Sequence, residues 1–99
     1  MYICIAEECS EIQKVVSKIL RFGKDHILEG KQFTNEELLT QEIHDLEATI
    51  QATRAMGALL TPTEESRQED IDNKLSKLIR MMEYSEKLGT LNKTNNGTK

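Results

Sequence analysis

Scarcity of helix breakers is the feature that most constrains this chain: one proline and five glycines interrupt 99 residues. Residues 2–22 contain neither. Within them Ile5, Cys9, Ile12, Val16 and Ile19 recur at spacings of three and four, the period of one helix face. Gly23 follows where a left-handed helix cap is favoured. Residues 24–33 hold no sustained period and read as a loop. Thr34-Asn35-Glu36-Glu37 is a capping-box sequence, in which the threonine hydroxyl and the glutamate carboxylate satisfy each other's backbone amides. It predicts a second helix with Leu38, Leu39, Ile43, Leu46, Ile50 and Met56 on one side, ending between Gly57 and Leu60. Thr61-Pro62-Thr63-Glu64 repeats the device, with Pro62 at the first helical position, where its missing donor costs nothing. The third helix carries Ile71, Leu75, Leu78 and Met82 at spacings of four, three and four, a narrow seam suited to another helix.

No run alternates like a strand and no internal repeat is visible, so the expected class is all-α. The expected architecture is a three-helix protomer over residues 1–88 that completes a helical bundle by dimerisation. A polar tail over residues 89–99 reads as disordered. Its Asn92-Lys93-Thr94 and Asn96-Gly97-Thr98 match the glycosylation pattern but have no role in a cytoplasmic chain.

Composition narrows the function classes. Hydrophobic residues at 37% support one modest core, and a chain this short is marginal alone, so a homodimer or homotetramer is expected. Thirteen basic against 17 acidic side chains give a net charge of −4, which argues against binding a nucleic-acid polymer. Cys4 and Cys9 have no further cysteine partners, so neither a disulfide framework nor a zinc site is indicated. No apolar run approaches the roughly 18 residues of a membrane span, and no basic leader precedes an apolar core as in a signal peptide. A cytoplasmic location without membrane contact is the expectation.

The acids are the informative residues. Wound at about 100° per residue with Glu11 at zero, the apolar arc of the first helix covers roughly 80° to 180°. Glu8 then falls at about 60°, between Val15 and Ile19, against the buried face. With Glu42 at zero, Leu38 lies near −40°, Leu46 near 40° and Leu39 near 60°, so Glu42 sits among leucines. Asp45 is at the edge of the same arc, whereas His44 points about 200° away, toward solvent. An unpaired carboxylate in such a place loses several kcal/mol of hydration and needs compensation. Pairing with a lysine would serve for one acid. Here two pairs at i,i+3, Glu8 with Glu11 and Glu42 with Asp45, lie on the inner sides of their helices. Antiparallel packing would gather all four, and oxygen-only ligands select Mg²⁺ or Mn²⁺ ahead of zinc. A ferritin-like di-iron site needs Glu-x-x-His, and neither His26 nor His44 supplies it. Lys18 lies about 20° from Glu11, two turns on, as phosphates extending from a metal would require. Lys14 fits this role and ordinary i,i+4 pairing equally well. Cys9 reads as a small core residue.

Glu8-Cys9-Ser10-Glu11 followed by Glu42-Ile43-His44-Asp45 resembles the ExxE…ExxD signature of the MazG-like all-α nucleoside triphosphate pyrophosphohydrolases. The surrounding AEECSEIQKVVSKILRFG and TNEELLTQEIHDL are similar to the small, phage-type members, and the resemblance spans residues 2–56. It implies a helical dimer or tetramer and hydrolysis of a (deoxy)nucleoside triphosphate to monophosphate and pyrophosphate. It implies Glu8, Glu11, Glu42 and Asp45 as ligands of Mg²⁺, with Glu8 and Glu11 as the catalytic acids and Glu11 orienting the attacking water. Lys18, Arg21 and Asn35 match positions that would contact the nucleotide. The rival readings are a non-catalytic helical interaction protein and a nucleotide-binding regulator. A metal titration separates the first of these from the enzyme.

Overall fold

In the computed structural model, which describes residues 1–89, the chain forms three helices: α1 (Tyr2–Phe22), α2 (Asn35–Ala55) and α3 (Glu64–Lys87). Among the described residues there is no strand, and no helix is long and apolar enough to cross a membrane. The helices fall into two compact units, Met1–Thr61 with α1 and α2, and Pro62–Lys99 with α3. The two Asn-x-Thr sequences and the tail from residue 90 lie outside the described residues.

The first unit is an antiparallel helical hairpin pinned at both ends. The amide groups that open α2 would be orphaned in an isolated helix. Here the Asn35 N–H donates to the His26 carbonyl at 3.0 Å and the Glu36 N–H to the Lys24 carbonyl at 2.9 Å. Asn35 Nδ2 adds a bond to the Gly23 carbonyl at 3.0 Å. The capping box is complete: Glu37 N–H donates to Thr34 Oγ1 at 3.1 Å, and Thr34 N–H to Glu37 Oε1 at 2.9 Å. At the other end the Tyr2 hydroxyl donates to the Ala58 carbonyl, tying the start of α1 to the turn after α2. Gly23 ends α1 at φ +96° and ψ 156°, which corrects the expectation of a left-handed cap. Its φ is open to glycine while its ψ is extended, so the chain leaves the helix at once.

The strip between the two helices is narrow. Val15 is the buried apolar residue among those described, at 6% exposure. Ile5, Ile12 and Ile19 of α1 and Leu38, Leu39, Leu46 and Ile50 of α2 are half-buried around it. Cys9 and Val16, expected in the core, are exposed, as are Ile43 and Met56. The reason is a choice between two seams. Ile5, Ile12 and Ile19 belong to both, and the intervening positions are either Cys9 and Val16 or Glu8 and Val15. The structure takes the second, with Val15 buried and Glu8 half-buried, so the inner strip is Ile5, Glu8, Ile12, Val15 and Ile19. Thr53 of α2 is fully buried, its hydroxyl satisfied by the Thr49 carbonyl at 2.7 Å.

In the second unit Thr63, rather than Thr61, caps the helix, accepting from the Ser66 N–H at 3.1 Å. Pro62 therefore precedes the cap. This start puts Glu64 and Glu65 in the first turn, where the helix dipole favours acids. α3 contains no buried residue.

Asn35→Ala removes the side-chain donor to the Gly23 carbonyl and should destabilise the hairpin by about 1–3 kcal/mol. The urea midpoint followed by far-UV circular dichroism measures it, with exposed Lys31→Ala expected to match wild type.

Candidate metal centre

Choosing the second seam places Glu8 in the middle of α1's inner strip, facing α2. Glu42 and Asp45 stand three residues apart on α2, on neighbouring ridges of one face. Glu8, Glu42 and Asp45 each offer a carboxylate oxygen, and these oxygens all lie within 4.8 Å of one another. Glu8 and Glu42 are half-buried and Asp45 is exposed, so the group opens to solvent on the Asp45 side.

Two observations describe its electrostatics. Glu8 Oε1 is shut off from solvent and accepts no hydrogen bond. Buried carboxylate oxygens are ordinarily satisfied, and an orphan of this kind is costly. The Glu42 carboxyl is held above its usual range, chiefly by loss of solvent and then by the charges of Asp45, Glu11 and Glu8. Among the described residues no lysine or arginine forms an ion pair with any of the three. A structural salt bridge therefore does not compensate them.

The fourth acid, Glu11, stands outside the group. It is exposed, with Lys14 Nζ 3.5 Å from its carboxylate, and its charge still reaches Glu42. Lys18 is half-buried on the same side of α1 as Val15. Arg21 is exposed, its guanidinium 5.3 Å from the centre of the Phe22 ring, which in turn stacks on His26 at 5.4 Å. That stack left no signal in the helical periodicity. Asn35 is the first residue of α2, beside the loop that follows α1. It is wholly buried; its amide nitrogen donates to the Gly23 carbonyl, while its Oδ1, like Glu8 Oε1, is buried and accepts no hydrogen bond. His44 is exposed, as its position on the helical wheel requires.

The donor set suits a hard divalent cation. Ligand oxygens around Mg²⁺ at about 2.1 Å are roughly 3–4 Å apart, a spacing these carboxylates reach by small side-chain movements. No thiol or imidazole joins the group, which favours Mg²⁺ or Mn²⁺ over zinc. Compared with known proteins, the chain matches no family model, no curated protein and no solved structure.

The raised Glu42 carboxyl has a definite sign in stability. The folded chain binds this proton more tightly than the unfolded chain does, so the cost of its charged form is fully present above the raised value. That cost vanishes as pH falls below the ordinary 4.5. Without metal, Glu42→Gln should melt at the same temperature as wild type or higher near neutral pH. The gap should close as the pH is lowered toward that ordinary value. Thermal melts of both proteins across this range measure it.

Proposed function

We propose that the chain is a Mg²⁺-dependent pyrophosphohydrolase of the MazG-like kind, acting on a (deoxy)nucleoside triphosphate as a homodimer or homotetramer. The observation that carries this reading is Glu8 Oε1, a buried acceptor without a donor, beside two further carboxylates and no cation of the protein's own. A plain helical hairpin gains nothing from that arrangement, because an apolar residue at position 8 would pack with Ile5, Ile12 and Val15.

Glu8, Glu42 and Asp45 would hold the ion, Glu8 and Glu42 from the protein side and Asp45 from the solvent side. When bound, Mg²⁺ (or Mn²⁺) neutralises phosphate charge and lowers the pKa of a coordinated water. Glu11, one turn from Glu8 and steadied by Lys14, accepts the proton of the water that attacks the α-phosphorus in line. The bond from that phosphorus to the bridging oxygen breaks, and pyrophosphate leaves. Lys18 and Arg21, further along α1 toward Gly23, meet the phosphate charge that extends past the ion. Asn35 acts indirectly, by holding the start of α2 to the end of α1 through its bond to the Gly23 carbonyl.

The deciding experiment is a pyrophosphate-release screen over nucleoside triphosphates with Mg²⁺ on the full chain. Release is expected for at least one of them. Glu8→Gln and Asp45→Asn should each lose more than the roughly 10–100-fold that removal of an outer-shell partner costs. Mg²⁺ at a hundred times its dissociation constant should add about 2.7 kcal/mol of stability, less in either variant. A folded chain that binds nucleotide and releases no pyrophosphate would identify a regulator. A chain that responds to neither metal nor nucleotide would leave a helical interaction protein.

A further inference from the structure

α3 is a 24-residue helix without a buried residue, yet it presents Ile71, Leu75, Leu78 and Met82 at the spacing of a two-helix seam. Leu75 is 50% exposed and Met82 54%. A single helix gains most of its stability by packing such a face, so what covers the seam matters more than helix propensity. The flanks of the seam identify the occupant. With Leu75 and Met82 at the a positions and Ile71 and Leu78 at d, the e positions hold Glu65, Asp72, Ile79 and Glu86. The g positions hold Arg67, Lys74, Met81 and Leu88. Every charge on one flank is acidic and every charge on the other is basic. The helix is complementary to itself.

Orientation follows from the same columns. Parallel, in-register pairing lays the acidic flank of one copy along the basic flank of the other, and brings Arg67 against Asp72 of the second copy on both sides. Antiparallel pairing lays acidic against acidic and basic against basic. It brings Glu65 against Glu86 of the second copy and joins no opposite charges. Within one copy, Arg67 lies 3.5 Å from Glu64, and Gln68 donates to Asp72 at 2.9 Å. These are exposed contacts within one helix, of the kind that is weak and easily exchanged. We propose that α3 is a self-association surface that pairs in parallel and in register with α3 of a second copy of this chain. The proposal gives an interface and an orientation to the proposed homo-oligomer, and is separate from the metal reading, because none of the acids near Glu8 takes part in it.

Sedimentation of the full chain from micromolar to hundreds of micromolar tests it. The expected result is a concentration-dependent rise above the monomer mass. Leu75→Glu with Leu78→Glu should abolish the rise while far-UV circular dichroism shows the remaining helices intact, since neither residue is part of a buried core. Asp72→Arg should weaken association several-fold, and adding Arg67→Asp to the same chain should restore it. For orientation, Gln68→Cys is placed in a chain whose Cys4 and Cys9 are serine. Parallel pairing sets residue 68 beside its mate and yields an interchain disulfide under mild oxidation, whereas antiparallel pairing holds the two roughly 25 Å apart. A chain monomeric at every concentration overturns the proposal. So does an assembly indifferent to the Leu75 and Leu78 substitutions, or one that never cross-links through position 68. The Mg²⁺ response of the monomeric double variant reports separately on the metal reading.

Discussion

The hairpin depends on how it accommodates one carboxylate. Glu8 occupies the centre of the strip where α1 meets α2, with one oxygen closed off from solvent and no donor to it. Around it the packing is thin: Val15 is the buried apolar neighbour, and the other seam residues are half-buried. Folded domains are stable by only about 5–15 kcal/mol, so a charge in such a strip is a large perturbation. The ends of the hairpin offset it. The bonds from Asn35 and Glu36 to the loop, the capping box and the Tyr2 contact all lie far from the acids. Hydrogen bonds at the ends stabilise a geometry that the middle disfavours, although Asn35 Oδ1 at the loop end is itself buried without a donor.

That division of labour explains which parts were legible from sequence. Helices α1 and α2 announce themselves by absence of breakers, by apolar spacing and by a complete capping box. The rotation of α1 does not. Ile5, Ile12 and Ile19 fit two seams equally, and apolar periodicity favours the one completed by Cys9 and Val16. The structure buries Val15 and half-buries Glu8 instead, and the period of the shared isoleucines cannot tell the two apart. The cap of α3 shifted from Thr61 to Thr63 because two threonines flank the proline, and the first-turn acids favour the later start.

The acids were more legible than the core, for a physical reason. Apolar residues tolerate many faces, so their pattern leaves the rotation of a helix loosely determined. A carboxylate among leucines is costly in every packing arrangement, and the cost survives an error of some tens of degrees in the wheel. Glu42 was therefore placed correctly beside Leu38 and Leu46 even though Cys9 and Val16 were not. The winding underestimated Glu8: the true seam runs through it rather than beside it. Glu11 shows the converse. Its i,i+3 relation to Glu8 was sound, but position 11 lies toward the edge of the new seam, where Lys14 reaches it.

On the proposed reading, catalysis and folding share one interaction. Three carboxylates converge between two helices, and the Glu42 carboxyl is raised there, chiefly by loss of solvent and then by the charges of Asp45, Glu11 and Glu8. A divalent cation there would reverse the sign of the central contact, turning the weakest part of the hairpin into a link between α1 and α2. Order in the hairpin would then depend on the ion, and the lateral position of Lys18 and Arg21 on α1 would depend on it too. On that reading the coupling would account for a core as small as Val15 and its half-buried neighbours. A larger apolar strip would hold the helices without the acids, and would close the solvent-facing side at Asp45 on which the proposed phosphate contact depends.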